Sequence, residues 1–464
     1  MSEQAKFLEG SLFRHITVMS LTASVGLMAV FLVDFVDMIF ISMLGKAELA
    51  AAVGYAGAIL FFTTSFGIGM AIAAGALVAR DLGAGDEAKA RLQATHSLIY
   101  GVVFGAIFAG LVWFNIPTLA ALMGAKGETL DLSVSYLRII VPSLPFLIVG
   151  MVGGAILRAH GDARRAMMAT VIGGLVNAVL DPILIFGLNL ELTGAALASV
   201  AARVAIGAAA LWPLIKHYGG FERPDIAGLL ADLRPVLVIA FPAILTQLAT
   251  PIGQAYVTRA MADYGEDAVA GMAIVARITP VAFGVLFALS GAIGPVIGQN
   301  FGANQHDRVR GAFRDGVIFC AVVVVLITAA LFLLRQPIAA LFAADGMTLT
   351  LVYLFCGPLA LAFFFNGVIF AGNAAFNNLG HPYYSTWINW GRHTVGTIPP
   401  VILFGYWFGA PGVLIGQAIG GVGFGLFAWW LAYRVIDKAK AAELAPQDPY
   451  KRQSRLMSLL HLRR

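Results

Sequence analysis

The strongest constraint on this chain is the recurrence, from one end to the other, of apolar runs roughly 20 to 28 residues long, each enough to cross a hydrocarbon core of about 30 Å as a helix. In lipid every backbone N–H and C=O must be bonded internally, so runs of this length fold as helices. Twelve spans are expected, near residues 15–43, 52–79, 93–115, 132–156, 166–189, 191–215, 235–261, 269–298, 316–334, 348–376, 383–407 and 410–434. Charged side chains make up 12% of the 464 residues, about half their share in soluble domains, which excludes a soluble globular protein. The 52 glycines fall largely among Ala and Ser within the apolar runs, as close helix packing in lipid requires.

Basic residues orient the chain. With the N-terminus inside, the inward segments carry 22 Lys and Arg, from Lys6 through the tail 434–464, and the outer loops hold only Lys46, Lys126, Arg259 and Arg335. This bias places both termini in the cytoplasm of a bacterial-type inner membrane. The net charge of +5 is then a topology signal and not a nucleic-acid footprint. The opening MSEQAKFLEGSLFRH lacks a cleavable signal pattern and is expected to be retained. Cys320 and Cys356 lie in different spans without metal-ligand spacing and are expected to be buried and structural. The tail SRLMSLLHLRR suits either a short helix on the anionic leaflet or a disordered end.

The halves repeat. LGKAELAAAVG (44–54) aligns with YGEDAVAGMAI (264–274), ARDLGAGDEAKAR (79–91) with GQNFGANQHDRVR (298–310), AILRAHGDARR (155–165) with AAFNNLGHPYY (374–384), and DPILIFG (181–187) with PPVILFG (399–405), at a shift near 219. Six spans per copy is an even number, so the second copy enters the membrane as the first does, and the repeats are parallel. The expected fold is an all-α integral membrane protein, with twelve transmembrane helices in two six-helix bundles related by a pseudo-two-fold axis along the membrane normal. The expected division is a lobe 1–216, a cytoplasmic linker 217–232, a lobe 233–436 and a basic cytoplasmic tail 437–464. A cleft between the lobes is the obvious place for a solute.

Asp34 and Asp37 interrupt a run from Ile16 to Met43 that has no other charge. A carboxylate at mid-bilayer costs about 2.5 to 3.5 kcal/mol, so its presence asks for a function. By helical rise Asp37 lies about 9 Å below the outer surface, Asp181 and Ser199 about 12 Å, and Asn177 about 18 Å. Asn177 and Asp181 share a helix face, and Pro182 kinks the helix and frees a carbonyl. This oxygen set suits a coupling ion, either H+ or Na+. Asp34, one turn from Asp37, either faces the cleft or bonds locally. The second half has Gln254 and Val257 in place of Asp34 and Asp37, Pro399 for Asp181 and Gln417 for Ser199, so acids are not needed merely to hold the fold. Arg277, Arg392 and Asn366, with Gln254, are further candidates for the cleft or the ion. Arg138, Arg203 and His393 also sit at apparent membrane depth.

The segments VDMIFISMLGKAELAAAVG, LGAGDEAKAR, LRAHGD and NAVLDPILIFGLNLELTGAALAS together resemble the multidrug and toxic compound extrusion (MATE) family of ion-coupled exporters, over roughly residues 12–435. The resemblance implies that Asp37, Asn177, Asp181 and Ser199 bind the coupling ion. The acids of the seventh and tenth helices found in the NorM type are missing, so the chain looks closer to the DinF type. A proline common early in the family's first helix is also missing, with Thr22 opposite Pro242 of the second half; Gly26 is left to supply flexibility there. The implied function is secondary antiport: amphipathic, cationic organic compounds leave in exchange for H+ or Na+ as two lobes rock. No cofactor is expected. The expected partners are small-molecule substrates and bilayer lipid, for a monomer that binds no nucleic acid. Two rivals are weaker: a flippase of lipid-linked sugars or another amphipathic lipid would want a strongly cationic cleft, and an intramembrane protease built on GAGD (83–86) would need a second aspartate facing Asp86. An enzyme is therefore not expected.

Overall fold

A computed structural model describes residues 5–444. The first half runs α1 (Leu12–Met43), α2 (Ala47–Gly83), α3 (Glu87–Leu122), α4 (Gly127–Ile140), α5 (Leu144–Ala159), α6 (Ala163–Pro182) and α7 (Glu191–His217). The second runs α8 (Ile226–Ala262), α9 (Glu266–Ala282), α10 (Gly284–Gly302), α11 (His306–Leu341), α12 (Gly346–Leu354), α13 (Ala360–Asn378), α14 (Pro382–His393), α15 (Ile398–Phe408) and α16 (Ala410–Leu444). Eleven helical stretches among the described residues are long and apolar enough to cross a membrane. The pair α14 and α15 makes the twelfth crossing. The protein is thus a multi-pass, all-helical membrane protein of two six-helix bundles. The sequence SRLMSLLHLRR lies outside the described residues.

Sequence and structure differ at the breaks. The span expected over 269–298 is divided at Phe283 into α9 and α10, and that over 383–407 is divided between His393 and Ile398. Pro142 lies in a 3-10 turn between α4 and α5 and Pro145 in the first turn of α5, and Pro358 sits in a π-helical turn between α12 and α13, where Gly357 leaves helical geometry. A proline removes a backbone donor and crowds the preceding turn, and neighbouring helices re-satisfy the freed groups. Several helices also exceed the hydrophobic runs. α2 and α8 have 37 residues each, about 55 Å of helix, so they extend past the bilayer core. Between the halves only residues 218–225 lack helix, and residues 226–232 form the first turns of α8.

An even number of crossings puts both ends of the described chain on one side, called here the terminal face. There the bundles meet backbone to backbone. A Cβ added to Gly83 would lie 2.0 Å from the Gln299 carbonyl oxygen, and one on Gly302 would lie 1.9 Å from that of Arg80. Higher up, Gly69 abuts Ile244 and the Ala240 carbonyl. Toward the opposite face Gly54 and Gly57 meet nothing within 4 Å, and Gln254, Ala255 and Thr258 line an open recess. The cleft therefore opens away from the terminal face. The cores cross over at the closed end: Ile16 and Met19 of α1 pack into the second bundle's core, and Val236, Ile239 and Ala240 of α8 into the first bundle's.

Small residues also permit the packing within a bundle. Gly412, Gly416 and Gly420, four apart on α16, each face the backbone of the α14–α15 segment, where an added Cβ would fall 1.9 Å from Phe404 O, 2.6 Å from Pro400 C and 2.0 Å from Gly396 O. Gly416→Leu is expected to cost about 3 kcal/mol through overpacking. Gly423→Ala, where a Cβ meets nothing within 4 Å, is expected to leave the melting temperature in detergent unchanged.

At the terminal face His160 is 3% exposed and stacks on Tyr218 with ring centroids 4.4 Å apart. Burial, with Lys6 nearby, holds the His160 imidazole down at about 4 from an ordinary 6.5. The neutral ring is the one the fold favours, so its contribution is intact above pH 6.5 and is lost as pH falls toward 4. Thermal unfolding followed across that window is expected to show falling stability in the wild type and a flatter profile in His160→Phe.

Candidate functional site

Four helices of the first bundle bring polar groups together at one depth. α6 presents Asn177 and Asp181 on one face, and the Asn177 amide donates from Nδ2 to Asp181 Oδ2 at 2.7 Å. Both are buried, Asp181 completely. α1 carries Asp37, half-buried, whose carboxyl group lies close enough to that of Asp181 for the two to interact. Asp37 Oδ1 and Asp181 Oδ1 are buried without a protein hydrogen-bond partner. α7 carries Ser199, beside Tyr136 on α4. Tyr136 is buried and close enough to Asp37 and Asp181 for their charges to act on it.

Local chain geometry holds these groups. α6 stops at Pro182 and continues as a π-helical turn, Ile183–Gly187, before the chain reverses through Asn189 and Glu191, both at positive φ. Gly194 lets α7 approach that turn, since a Cβ there would fall 2.7 Å from the Leu184 carbonyl carbon. Phe40 meets Phe186 edge to face at 5.9 Å, packing α1 on α6 one turn above Asp37. Behind Tyr136, Arg203 Nη1 donates to Ile140 O at 3.2 Å and Ser143 Oγ at 3.0 Å, the broken junction of α4 and α5.

The structure brings together Asp37, Asn177 and Asp181, with Ser199 beside Tyr136. Asp34 lies one turn from Asp37, exposed, and interacts with it by charge. The other candidates sit in the second bundle. Gln254 accepts from Gln417 Nε2 at 3.3 Å, so α8 and α16 are joined where the repeat places Asp34 and Ser199. Arg392 is an internal strut: its guanidinium bonds Asn366 Oδ1 and lies 2.6 Å from His393 Nε2. Arg277 is exposed on α9. Sequence reasoning passed over Tyr136. A tyrosine between Ser135 and Leu137 carries no depth signal of its own; only its position beside two acids in space marks it.

Fold and site define a membrane transporter and not an enzyme. The MatE family profile matches residues 23–183 and again 242–402, and the chain belongs to that family. Each boundary of the second match lies 219 residues beyond its counterpart, 23 to 242 and 183 to 402, the offset of the internal repeat. The FAD transporter of Shewanella oneidensis is 29% identical over 448 residues, covering 95% of this chain and 99% of its own. The multidrug export protein MepA of Staphylococcus haemolyticus is 25% identical over 448 residues, covering 94% and 98%. A crystal structure of a MATE in the bent conformation, 25% identical, superposes with a TM-score of 0.88 over 96% of this chain and all of that one. The family and the multidrug exporters among its relatives make this a transporter of organic compounds.

Proposed function

We propose that the protein is a proton-coupled antiporter that exports amphipathic organic compounds. The observation that carries this reading is the pair Asp37 and Asp181, acids on two helices of the first bundle close enough to interact, each with one oxygen buried and without a protein hydrogen-bond partner. One feature favours H+ over Na+: Asn177 turns an N–H, not an oxygen, toward Asp181, whereas a hard cation takes oxygen ligands. Asp37, Asn177, Asp181 and Ser199 form the coupling site in this reading, as in the DinF type.

The proposed cycle uses residues 1–216 and 233–436 as lobes that rock about the cleft. The basic terminal face is cytoplasmic, with both termini inside, and the cleft faces outward. Protons reach the pair from the open side. An ion shifts a conformational equilibrium only by binding its two states unequally, so α1 and α6 must change their spacing as the lobes rock. Separating them divides the carboxyl pair and changes its hold on the proton. Asp34, exposed beside the pair, offers a contact for a cationic substrate.

Gradient-driven export by purified protein in liposomes tests the reading. Asp37→Asn and Asp181→Asn are each expected to fold and to lose pH-driven export by about tenfold or more, the scale of about 1.4 kcal/mol of lost coupling. Export driven by Na+ and indifferent to pH would reject the proton, and unimpaired export in both variants would reject the site.

A second reading of the substrate rests on Arg277. An arginine exposed on α9 suits a substrate with an anionic group, in line with a relative named as an FAD transporter. Transport of a flavin dinucleotide lost in Arg277→Gln, with cationic dyes still exported, would favour it.

A further inference from the structure

The closed end of the cleft contains a device that ion coupling does not use. Residues 5–10, ahead of α1, lie beneath both bundles and are bonded to each. Ala5, Phe7 and Leu8 are buried. The Phe7 N–H donates to Gln299 Oε1 at 2.9 Å, and its carbonyl accepts from Asn300 Nδ2 at 3.1 Å and Arg308 Nη2 at 2.8 Å. Arg308 also donates to Gly10 O at 3.2 Å and, through Nε, to Asn300 Oδ1 at 2.9 Å. All three side chains belong to the second bundle. On the first bundle, Lys6 and Phe7 pack against Gly161, where a Cβ would lie 3.1 Å and 3.2 Å from them. Gln299 completes the bridge by donating from Nε2 to the Ala159 carbonyl at 2.7 Å.

The repeat shows that this arrangement is more than a tucked end. Asn300 and Arg308 correspond to Asp81 and Lys89, which form the matching ion pair at 3.0 Å in the first bundle. Around the start of α8 the chain also crosses to the other bundle: Glu222, ahead of the helix, pairs with Arg91 at 2.8 Å, its N–H meets Thr95 Oγ1 at 3.1 Å, and Asp232, in the first turns of α8, meets His96 at 2.7 Å. The entry to each bundle thus clasps the opposite bundle. The linker's clasp belongs to the connection between the halves, and the N-terminal one lies ahead of α1.

We propose that residues 5–10 are a releasable key which, seated on Gln299, Asn300 and Arg308, latches the terminal face shut and sets how often the transporter opens there. Gln299 and Asn300 are both 0% exposed. Parting the bundles breaks the Gln299–Ala159 bond and forces the key to leave one side, so buried amides must find water as the gate opens. The guanidinium of Arg308 is well suited to the role, because its fork holds two carbonyls and an amide at once.

The inference rests on rocking of the lobes but not on the ion site, so its readout is a distance and not transport. Spin labels at Ala88→Cys and Asp307→Cys, repeat-related exposed positions on the terminal face, report the gap in lipid nanodiscs; Cys320 and Cys356 are buried and stay unlabelled. Asn300→Ala/Arg308→Ala, and separately deletion of residues 2–8, are each expected to raise the ratio of open to closed separations by about tenfold, as the loss of a few hydrogen bonds implies. Distance distributions that match the wild type in both the double variant and the deletion would overturn the proposal.

Discussion

The structure depends on the absence of water from the bilayer core. Backbone groups there have no partner outside the chain, so each crossing is helical, and every break is placed where another helix can re-satisfy the freed groups. The same rule governs side chains. An isolated carboxylate would be costly at that depth, yet Asp181 is fully buried, with the Asn177 amide donating to it.

With little hydrophobic drive between helices in lipid, close approach falls to glycine. Gly83 and Gly302 let α2 and α10 meet backbone to backbone at the terminal face, and Gly412, Gly416 and Gly420 do the same for α16. The first set joins two bundles that part toward the opposite face, and the second fixes a single bundle. The crossing of α1 and α8 into each other's cores adds to the closed end. The cleft is therefore wedge-shaped, sealed below and open above.

The two copies share architecture and divide the chemistry. Where the first bundle has a carboxyl pair, the second has a Gln254–Gln417 bond and a fully buried Val257. Arg392 is committed to Asn366 and His393, and helices in the second bundle are held by neutral or permanently charged groups.

The sequence alone determined the membrane class and the near-constant repeat offset, because apolar length and periodicity are local properties of the chain, and helical rise singled out Asp37, Asn177, Asp181 and Ser199 as candidates. It also showed that Gln254, Val257, Pro399 and Gln417 replace the first bundle's polar set. Other features were decided only by the tertiary fold. Tyr136 lies beside Ser199 of another helix, Arg392 turns inward to Asn366, α9 parts from α10, and residues 5–10 reach beneath both bundles. Each depends on which helix faces which, and that is settled by packing between segments far apart in the chain, where neither hydropathy nor spacing carries information.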